Sequence, residues 1–388
     1  MKLDTKYGVV KIFAKTVEND ALSQIIELCN SPLGENAHFR AMPDCHAGAG
    51  CTIGSTMIIT NKVCPNLVGV DIGCGVDLVK TNLDFKDMLP RLDYVIKAKM
   101  PSGRNVHENQ NIDISFFNRL LCWNSLNHDT KSTALRSKGT LGGGNHFIEA
   151  YEGGFIAVHS GSRNIGYRVA DYYQTLAKKR QKELIRKLRN DLAQTIPPPQ
   201  REEWLKKNKI KHNPDLAWLE GEDMDAYLHD LKIMQEFAVL NRQEMLSTIV
   251  DALGGNIIDK ISSTHNYIDN DNILRKGAIR AYKDEIILIP LNMRDGMLIC
   301  KGKGNADWNY SAPHGAGRLY SRSQAKKLFS VSDYAQSMKD IYTTCVSFDT
   351  LDEAPFAYKD AWEIMQAIEP TAEILEHIKP IYNFKASD

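Results

Sequence analysis

The 388-residue sequence has no excess of charge of either sign: 48 Lys and Arg balance 48 Asp and Glu. That excludes a protein that coats nucleic acid by bulk electrostatics, so phosphate recognition has to come from a local concentration of basic groups. Long apolar runs are absent as well. GFIAV from Gly154 and EIILIPL from Glu285 fall far short of the ~18–20 residues that cross a bilayer. The opening MKLDTKYGVVKIFAK has no apolar core behind its charges and does not read as a secretory signal. The eight cysteines lack the spacing of a disulfide framework. Reduced thiols and a cytoplasmic location are expected, which leaves a cysteine free to ligate a metal. There are no internal repeats and no low-complexity tract, which excludes solenoids and wholesale disorder.

What remains is ordinary globular composition, 43% hydrophobic and 25% charged. A chain of this length buries about three quarters of its unfolded surface and needs no metal merely to fold. Residues 1–165 alternate short β-type runs with glycine-dense loops. YGVVKIFA reads as a strand, DALSQIIELC as a helix opened by Asp20, and LVGVDIGCG as a buried strand running into a tight turn. From about 166 to 253 the texture turns helical. AKKRQKELIRKLR carries seven basic residues and one acid, and Pro197-Pro198-Pro199 break the helix. A second long helix is expected from Glu222, with Met224, Tyr227, Leu231, Met234, Ala238, Met245 and Ile249 on one face and a polar interruption near Asn241. Gly254-Gly255 supply its stop. β texture returns from Ile257 with ISSTHNYI, EIILIPL and GMLICKG, and the tail is read as two short helices, KDAWEIMQAIE and TAEILEHI. The expected fold is α+β: a single β-rich domain, 1–388, with residues 166–253 as an inserted helical hairpin.

Histidine and cysteine placement carries the chemistry. Asp71-Ile-Gly-Cys74-Gly puts a carboxylate and a thiol on one turn. Joined by imidazoles, such a pair suits zinc, manganese or iron. His146, His159 and His265 each stand where a β-type run meets small residues. A single histidine in such a place is more often a hydrogen-bonded structural residue; four ligand types in similar surroundings weaken that reading. Asp44 and His46 share another glycine-rich loop, MPDCHAGAG. There the aspartate either caps backbone amides or orients a catalytic histidine. Cys45, Cys51 and Cys64 read as inert small residues. In PHGAGR, His314 lies beside Gly315 and Gly317, whose backbone N–H groups can approach an anion, and Arg318 can hold a phosphate oxygen. The loop is neither a Walker A motif nor a dinucleotide fingerprint. Lys301, Lys303, Arg318, Arg322, Lys326 and Lys327 lie near it in sequence, which favours a phosphate-rich ligand; a plain glycine turn is the competing reading. The basic run Lys178–Arg189 reads first as a solvated face.

These loops together resemble the RtcB-type RNA-splicing ligases. The resemblance rests on MPDCHAG, VGVDIGCG, LGGGNHFIE, VHSGSR, HGAGR, the tail motif DEAPFAYK and a lysine near the end, collinear from about residue 40. It implies a ligase that joins an RNA 3′-phosphate or 2′,3′-cyclic phosphate end to a 5′-hydroxyl end, using GTP and two Mn2+ ions. By the same resemblance His314 is the guanylylated nucleophile and Asp44 its orienting partner. Cys74 bridges the metals, with Asp71 and His146 on one and His159 and His265 on the other. Asn145 and Glu149 hold GTP phosphates and ribose, Gly315 and Gly317 line the nucleotide, Lys385 reads the guanine and Tyr358 adjoins it. Arg163 and Arg318 are the implied RNA or phosphate contacts. The compact length resembles the branch that accompanies a release-factor homologue in RNA repair, so an activating protein or such a homologue is an implied partner. One stretch departs from the family: LNMRDG at 291–296 replaces the usual Gly-Ser-Met-Gly-Thr. A metal-dependent cyclic phosphodiesterase without ligation is the alternative this departure raises. A non-catalytic RNA-binding protein ranks below both.

Overall fold

The structure is a computed structural model that describes residues 1–207 and 212–386. Residues 208–211, within the expected helical insertion, and 387–388 lie outside it. The chain forms an α+β body around two six-stranded sheets. The first sheet orders Lys2–Thr5 (β1), Gly8–Ile12 (β2), Arg40–His46 (β3), Ile53–Ile58 (β4), Ile273–Lys276 (β10) and Asn266–Ile268 (β9) from edge to edge. Asn19–Asn30 (α1) packs into its core through Ile25 and Leu28.

The second sheet carries the site. Its order is Tyr342–Thr343 (β15), Pro380–Lys385 (β17), Phe147–Tyr151 (β6), Phe155–Ser160 (β7), Gly75–Thr81 (β5) and Ile257–Thr264 (β8). Side chains alternate across it, as the pleat requires. Ile148, Ala150, Ile156, Val158 and Val79 face the helices Leu89–Lys99 (α2) and Gly221–Leu253 (α4), meeting Leu92, Ile96, Met245 and Ile249. Phe147, Tyr151, Ala157, Val76 and Leu78 face the other way, onto Leu288, Met297, Ile299 and Ile378. Those last four belong to a three-stranded sheet of Ile286–Asn292 (β12), Gly296–Gly302 (β13) and Ala372–Ile378 (β16). Two short strands, Ala278–Arg280 (β11) and Ser311–Pro313 (β14), pair beside them.

Both long helices form where the apolar period places them. Arg163–Gln194 (α3) stops before the proline triplet, and α4 ends on Gly254 in the left-handed conformation, φ 81°. Two expectations fail. The stretch TAEILEHI, read as a helix, is strand β16, paired antiparallel with β13 from Met297↔Ile378 to Gly302↔Ala372. Ladder bonds to a neighbouring strand outweigh the intrinsic helical preference of so short a segment. In LVGVDIGCG, Leu67 closes a 3-10 turn that starts at Pro65 and residues 68–74 run through turns and bends; the strand begins only at Gly75. Gly69 and Gly73, at φ 99° and 70°, break the run that its apolar residues suggested.

Asp230 ties the helical segment to the body. Its fully buried carboxylate accepts the backbone N–H groups of Leu121 (2.8 Å) and Cys122 (3.0 Å) and the Tyr173 hydroxyl (2.8 Å). Replacing Asp230 with Ala leaves the buried Cys122 N–H without its acceptor, while Tyr173 keeps the Ala226 carbonyl at 3.1 Å, and a loss of about 1–3 kcal/mol is expected. Urea denaturation of the Asp230→Ala variant measures it.

Candidate active site

Strand register builds the site. Gly75 pairs with Ser160 on one side and with Thr264 on the other, and Phe147 pairs with His159. Cys74, His159, His265 and His146 therefore emerge together at one end of the second sheet. Cys74 Sγ lies 3.4 Å from His146 Nε2 and 3.3 Å from His159 Nε2. His159 Nε2 is 3.3 Å from His265 Nε2, and Asp71 Oδ2 is 2.9 Å from His146 Nε2. All four of Cys74, His146, His159 and His265 are buried.

Backbone carbonyls decide which way two of these rings point. His146 Nδ1 donates to Leu141 O (2.8 Å) and His159 Nδ1 donates to Asn145 O (3.1 Å). Each bond fixes the ring proton on Nδ1 and turns the Nε2 lone pair inward. Lone pairs, a sulfur and a carboxylate then converge with nothing positive among them. Atoms that share one ion at about 2.0–2.3 Å stand roughly 3.3–3.8 Å apart, so the separations at Cys74 suit a common cation. Cys74, His146 and His159 can hold one together. Burial, then the Asp71 charge, pushes the Cys74 thiol well above its ordinary range. Gly161 is required next to Asp71, because a Cβ there would collide with the carboxylate. Burial first, then neighbouring imidazoles, lowers His159 and His265 well below the usual histidine range, so both stay neutral.

His314 follows β14, which β11 aligns through Ala278↔Pro313, and its ring centroid lies 4.8 Å from that of His265. Asp44, fully buried on β3, settles the two readings left open for its loop. Its Oδ2 accepts His314 Nδ1 at 2.7 Å and the His314 backbone N–H at 3.2 Å. His46 instead turns its Nδ1 onto the Asp44 carbonyl, 2.9 Å away. Asp44 thus orients a histidine 270 residues downstream, not its neighbour.

Beside this cluster opens a cavity of about 310 Å³. Its walls include Asn145, Glu149, His314, Gly315, Gly317, Arg318, Tyr358 and Lys385. Glu149 accepts the Tyr151 hydroxyl (2.6 Å) and the Asn383 amide (2.7 Å). Lys385 Nζ lies 2.6 Å from Glu353, whose other oxygen takes Arg318 at 2.9 Å. Tyr358 donates to Glu353 as well, with the Arg318 guanidinium over its ring. Of the six basic residues expected near the loop, only Arg318 and Arg322 reach this wall. Lys301 pairs with Glu373, and Lys303 bonds the Glu369 carbonyl. Arg163 spends its guanidinium on Thr140 Oγ1 and Gly103 O, both 3.0 Å away. A second cavity, about 440 Å³, lies across the cluster and shares Asn145 and His314 with the first. Tyr167, Lys178, Asn266 and Lys276 contribute to it. Of the three cysteines read as inert, burial pushes the Cys45 and Cys64 thiols up to about 12, while Cys51 Sγ lies 3.1 Å from the Lys276 ammonium.

Sequence reasoning missed Glu353, the buried anion that organises Arg318, Tyr358 and Lys385. It lies inside DEAPFAYK, and an acidic pair, Asp352-Glu353, set between apolar residues is the available signal. Asn241 and Arg242 were passed over as a lapse in an apolar stripe.

Cysteine and histidine side chains placed to hold a cation, with an aspartate-paired histidine beside a cavity, are the kind of arrangement that metal-assisted phosphoryl-transfer enzymes use. Comparison with known proteins narrows the class. The family described as "tRNA-splicing ligase RtcB" matches residues 24–122 and 122–386. The chain is 32% identical over 432 aligned positions to the RNA-splicing ligase RtcB of Escherichia coli (strain K12), covering 98% of each protein. It is 24% identical to the tRNA-splicing ligase RtcB of Nanoarchaeum equitans, over 97% of this chain and 93% of the relative. Identity to RNA-splicing ligase RtcB homolog 2 of Entamoeba dispar is 25%, over 88% and 79%. The chain belongs to the RtcB family and is an RNA ligase. Among its described residues no helix is long and apolar enough to cross a membrane.

Glu149 gives the site a pH signature. Burial outweighs the bonds from Tyr151 and Asn383 and the nearby Lys385 charge, and pushes its carboxyl from 4.5 up to about 7. The folded chain therefore holds a proton that the unfolded chain has released, and stability falls as pH rises between those values. Thermal melts across this range are expected to show that decline in the wild type and a shallower one in Glu149→Gln.

Proposed function

We propose that this RNA ligase joins RNA 3′-phosphate or 2′,3′-cyclic phosphate ends to 5′-hydroxyl ends, using GTP and Mn2+ through covalent guanylylation of His314, in cytoplasmic RNA repair. The observation that carries the reading is the Asp44–His314 bond of 2.7 Å beside the cysteine–histidine cluster. A proton held on Nδ1 leaves the Nε2 lone pair free to attack phosphorus.

In this reading Nε2 of His314 bonds the α-phosphorus of GTP and pyrophosphate leaves. An oxygen of the RNA 3′-phosphate then takes the GMP, breaking the P–N bond. The 5′-hydroxyl finally displaces GMP and closes the phosphodiester; a cyclic end is hydrolysed to the 3′-phosphate beforehand. Asp44 stabilises charge on the imidazole as the P–N bond forms and breaks. Asp71, Cys74 and His146 would hold one cation, and His159 and His265 with the shared thiolate a second. Bound there, manganese supplies positive charge against the phosphate oxygens, and its tolerance of sulfur and nitrogen ligands separates it from magnesium.

Glu149 cannot pair with phosphate. An acceptor-only carboxylate fits the ribose hydroxyls or the N1–H and N2–H edge of guanine, and Lys385 fits the O6 acceptor. The glycines at 315 and 317 let backbone donors approach the nucleotide. The second cavity adjoins His314 and gives room for the RNA end, although its lysines are already held, Lys178 by Asp215 and Lys276 by backbone carbonyls.

Incubation with α-labelled GTP and Mn2+ is expected to label the wild type with an acid-labile, alkali-stable adduct, and to leave His314→Ala unlabelled. Equal labelling of the two overturns the assignment. Asp44→Asn should fold normally and lose about 10²–10⁴-fold in guanylylation rate, because the amide cannot hold the same tautomer or charge. Cys74→Ser should weaken Mn2+ binding, read from the free-ion paramagnetic resonance signal. Cyclic ends opened to 3′-phosphates, with no adduct and no joined product, would favour the phosphodiesterase reading suggested by the 291–296 loop, which lines the nucleotide cavity through Leu291, Asn292, Met293 and Gly296.

A further inference from the structure

The polar interruption in α4 consists of two adjacent residues, both fully buried, Asn241 and Arg242. Neither touches the cavities, and neither belongs to the ligand set. Four of their seven side-chain bonds go to Gly73, Ser160 or Gly161, which adjoin Cys74 and His159 in the chain, and two more go to Thr140, beside Leu141. Arg242 Nη1 donates to Gly73 O (2.9 Å) and to Ser160 O (3.0 Å). Gly73 immediately precedes Cys74, and Ser160 immediately follows His159. One guanidinium nitrogen therefore bridges the two strands whose ends present the thiol and an imidazole 3.3 Å apart. The remaining bond is that of Nε, which donates to Asp77 at 2.9 Å and anchors the guanidinium to β5.

Asn241 serves the other imidazole. Its Nδ2 donates to Thr140 O, Ser160 Oγ and Gly161 O, each at 3.1 Å, and its Oδ1 accepts Thr140 N at 3.0 Å. Ser160 Oγ in turn donates to Leu141 O at 2.8 Å, the same carbonyl that takes the proton of His146 Nδ1. A continuous chain of bonds thus runs from Asn241 through Ser160 and Leu141 to the ring of His146. The helix lies close enough to enforce this. A Cβ on Gly73 would stand 2.9 Å from Gln235 Cα and 3.0 Å from Ala238 Cβ. Asn241 and Arg242 follow on that same face of α4.

We propose that Asn241 and Arg242 are positioning residues for the metal centre: Arg242 sets the Cys74–His159 spacing, and Asn241, through Ser160 and Leu141, sets the orientation of His146. The helical segment 221–253 is then part of the metal-binding machinery. Carbonyl partners behind imidazole ligands govern metal affinity by about 10- to 100-fold in comparable sites. The inference rests on the proposed reading that Cys74, His146 and His159 are metal ligands.

Mn2+ titrations of wild type, Arg242→Met, Arg242→Lys and Ser160→Ala, followed by the free-ion paramagnetic resonance signal, test it. Metal-free melting curves establish that each variant is folded, and a Co2+ titration reports the thiolate-to-metal absorption band. Arg242→Met and Ser160→Ala are expected to lose about 10- to 100-fold in Mn2+ affinity, with Arg242→Lys recovering part of the loss. The Co2+ thiolate band should be weakened or displaced in Arg242→Met and retained in Ser160→Ala, which acts on His146 instead of Cys74. Folded variants that bind Mn2+ as tightly as wild type overturn the proposal, as does lower melting temperature with unchanged affinity. Should Arg242→Met fail to fold, Ser160→Ala, a change of one hydroxyl, decides. A wild type that binds neither ion removes the metal reading itself, a result distinct from equal binding by wild type and variants.

Discussion

The structure depends on a convergence of electron-rich atoms that proteins otherwise avoid. Two imidazoles with Nε2 lone pairs turned inward, a third imidazole, a buried sulfur and a carboxylate crowd one end of a sheet, held by carbonyls behind the rings. Burying such groups without a counter-charge is costly. The antiparallel register commits the chain to that arrangement, since Gly75↔Ser160, Gly75↔Thr264 and Phe147↔His159 leave the ligands nowhere else to emerge. A bound cation turns that cost into affinity.

Around this centre the molecule divides its labour by sheet face. Residues of β6 and β7 that point toward α2 and α4 are apolar, apart from Ser160, and those that point away include Glu149 and His159. One face builds the core while the other presents chemistry. The cavity beside it is organised by a second buried charge cluster, in which Glu353 takes Lys385, Arg318 and Tyr358. Burial works against ionisation of Glu353, yet the Lys385, Arg318 and Arg322 charges together hold it at about 2. The cations at the cavity wall are therefore fixed in place before any ligand arrives. That is the preorganisation a nucleotide site needs.

Local signals in the sequence were enough for much of this. The strands at EIILIPL and GMLICKG, the two long helices and their stops at Pro197 and Gly254 follow from period and breaker residues. The ligand types were legible because metal chemistry restricts them to few side chains, and their loops resemble those of a family to which the chain proves to belong. What failed was whatever depends on distant partners. TAEILEHI has helical propensity but a strand neighbour in β13, and no local pattern reveals that neighbour. LVGVDIGCG looks like a strand, yet its glycines make it the turn that delivers Asp71 and Cys74. Asn241 and Arg242 looked like a flaw in an apolar face, because their partners lie 80 to 169 residues away. The pairing of Asp44 with His314 in preference to His46 is likewise a tertiary fact, reached in the sequence only through the resemblance.

The most direct test of the account is anomalous scattering from crystals grown with Mn2+, recorded near the manganese absorption edge. The account predicts two peaks that share the Cys74 sulfur, one bounded by Asp71 and His146 and the other by His159 and His265, with His314 facing them. Manganese found elsewhere on the chain while this cluster stays without a peak would contradict it.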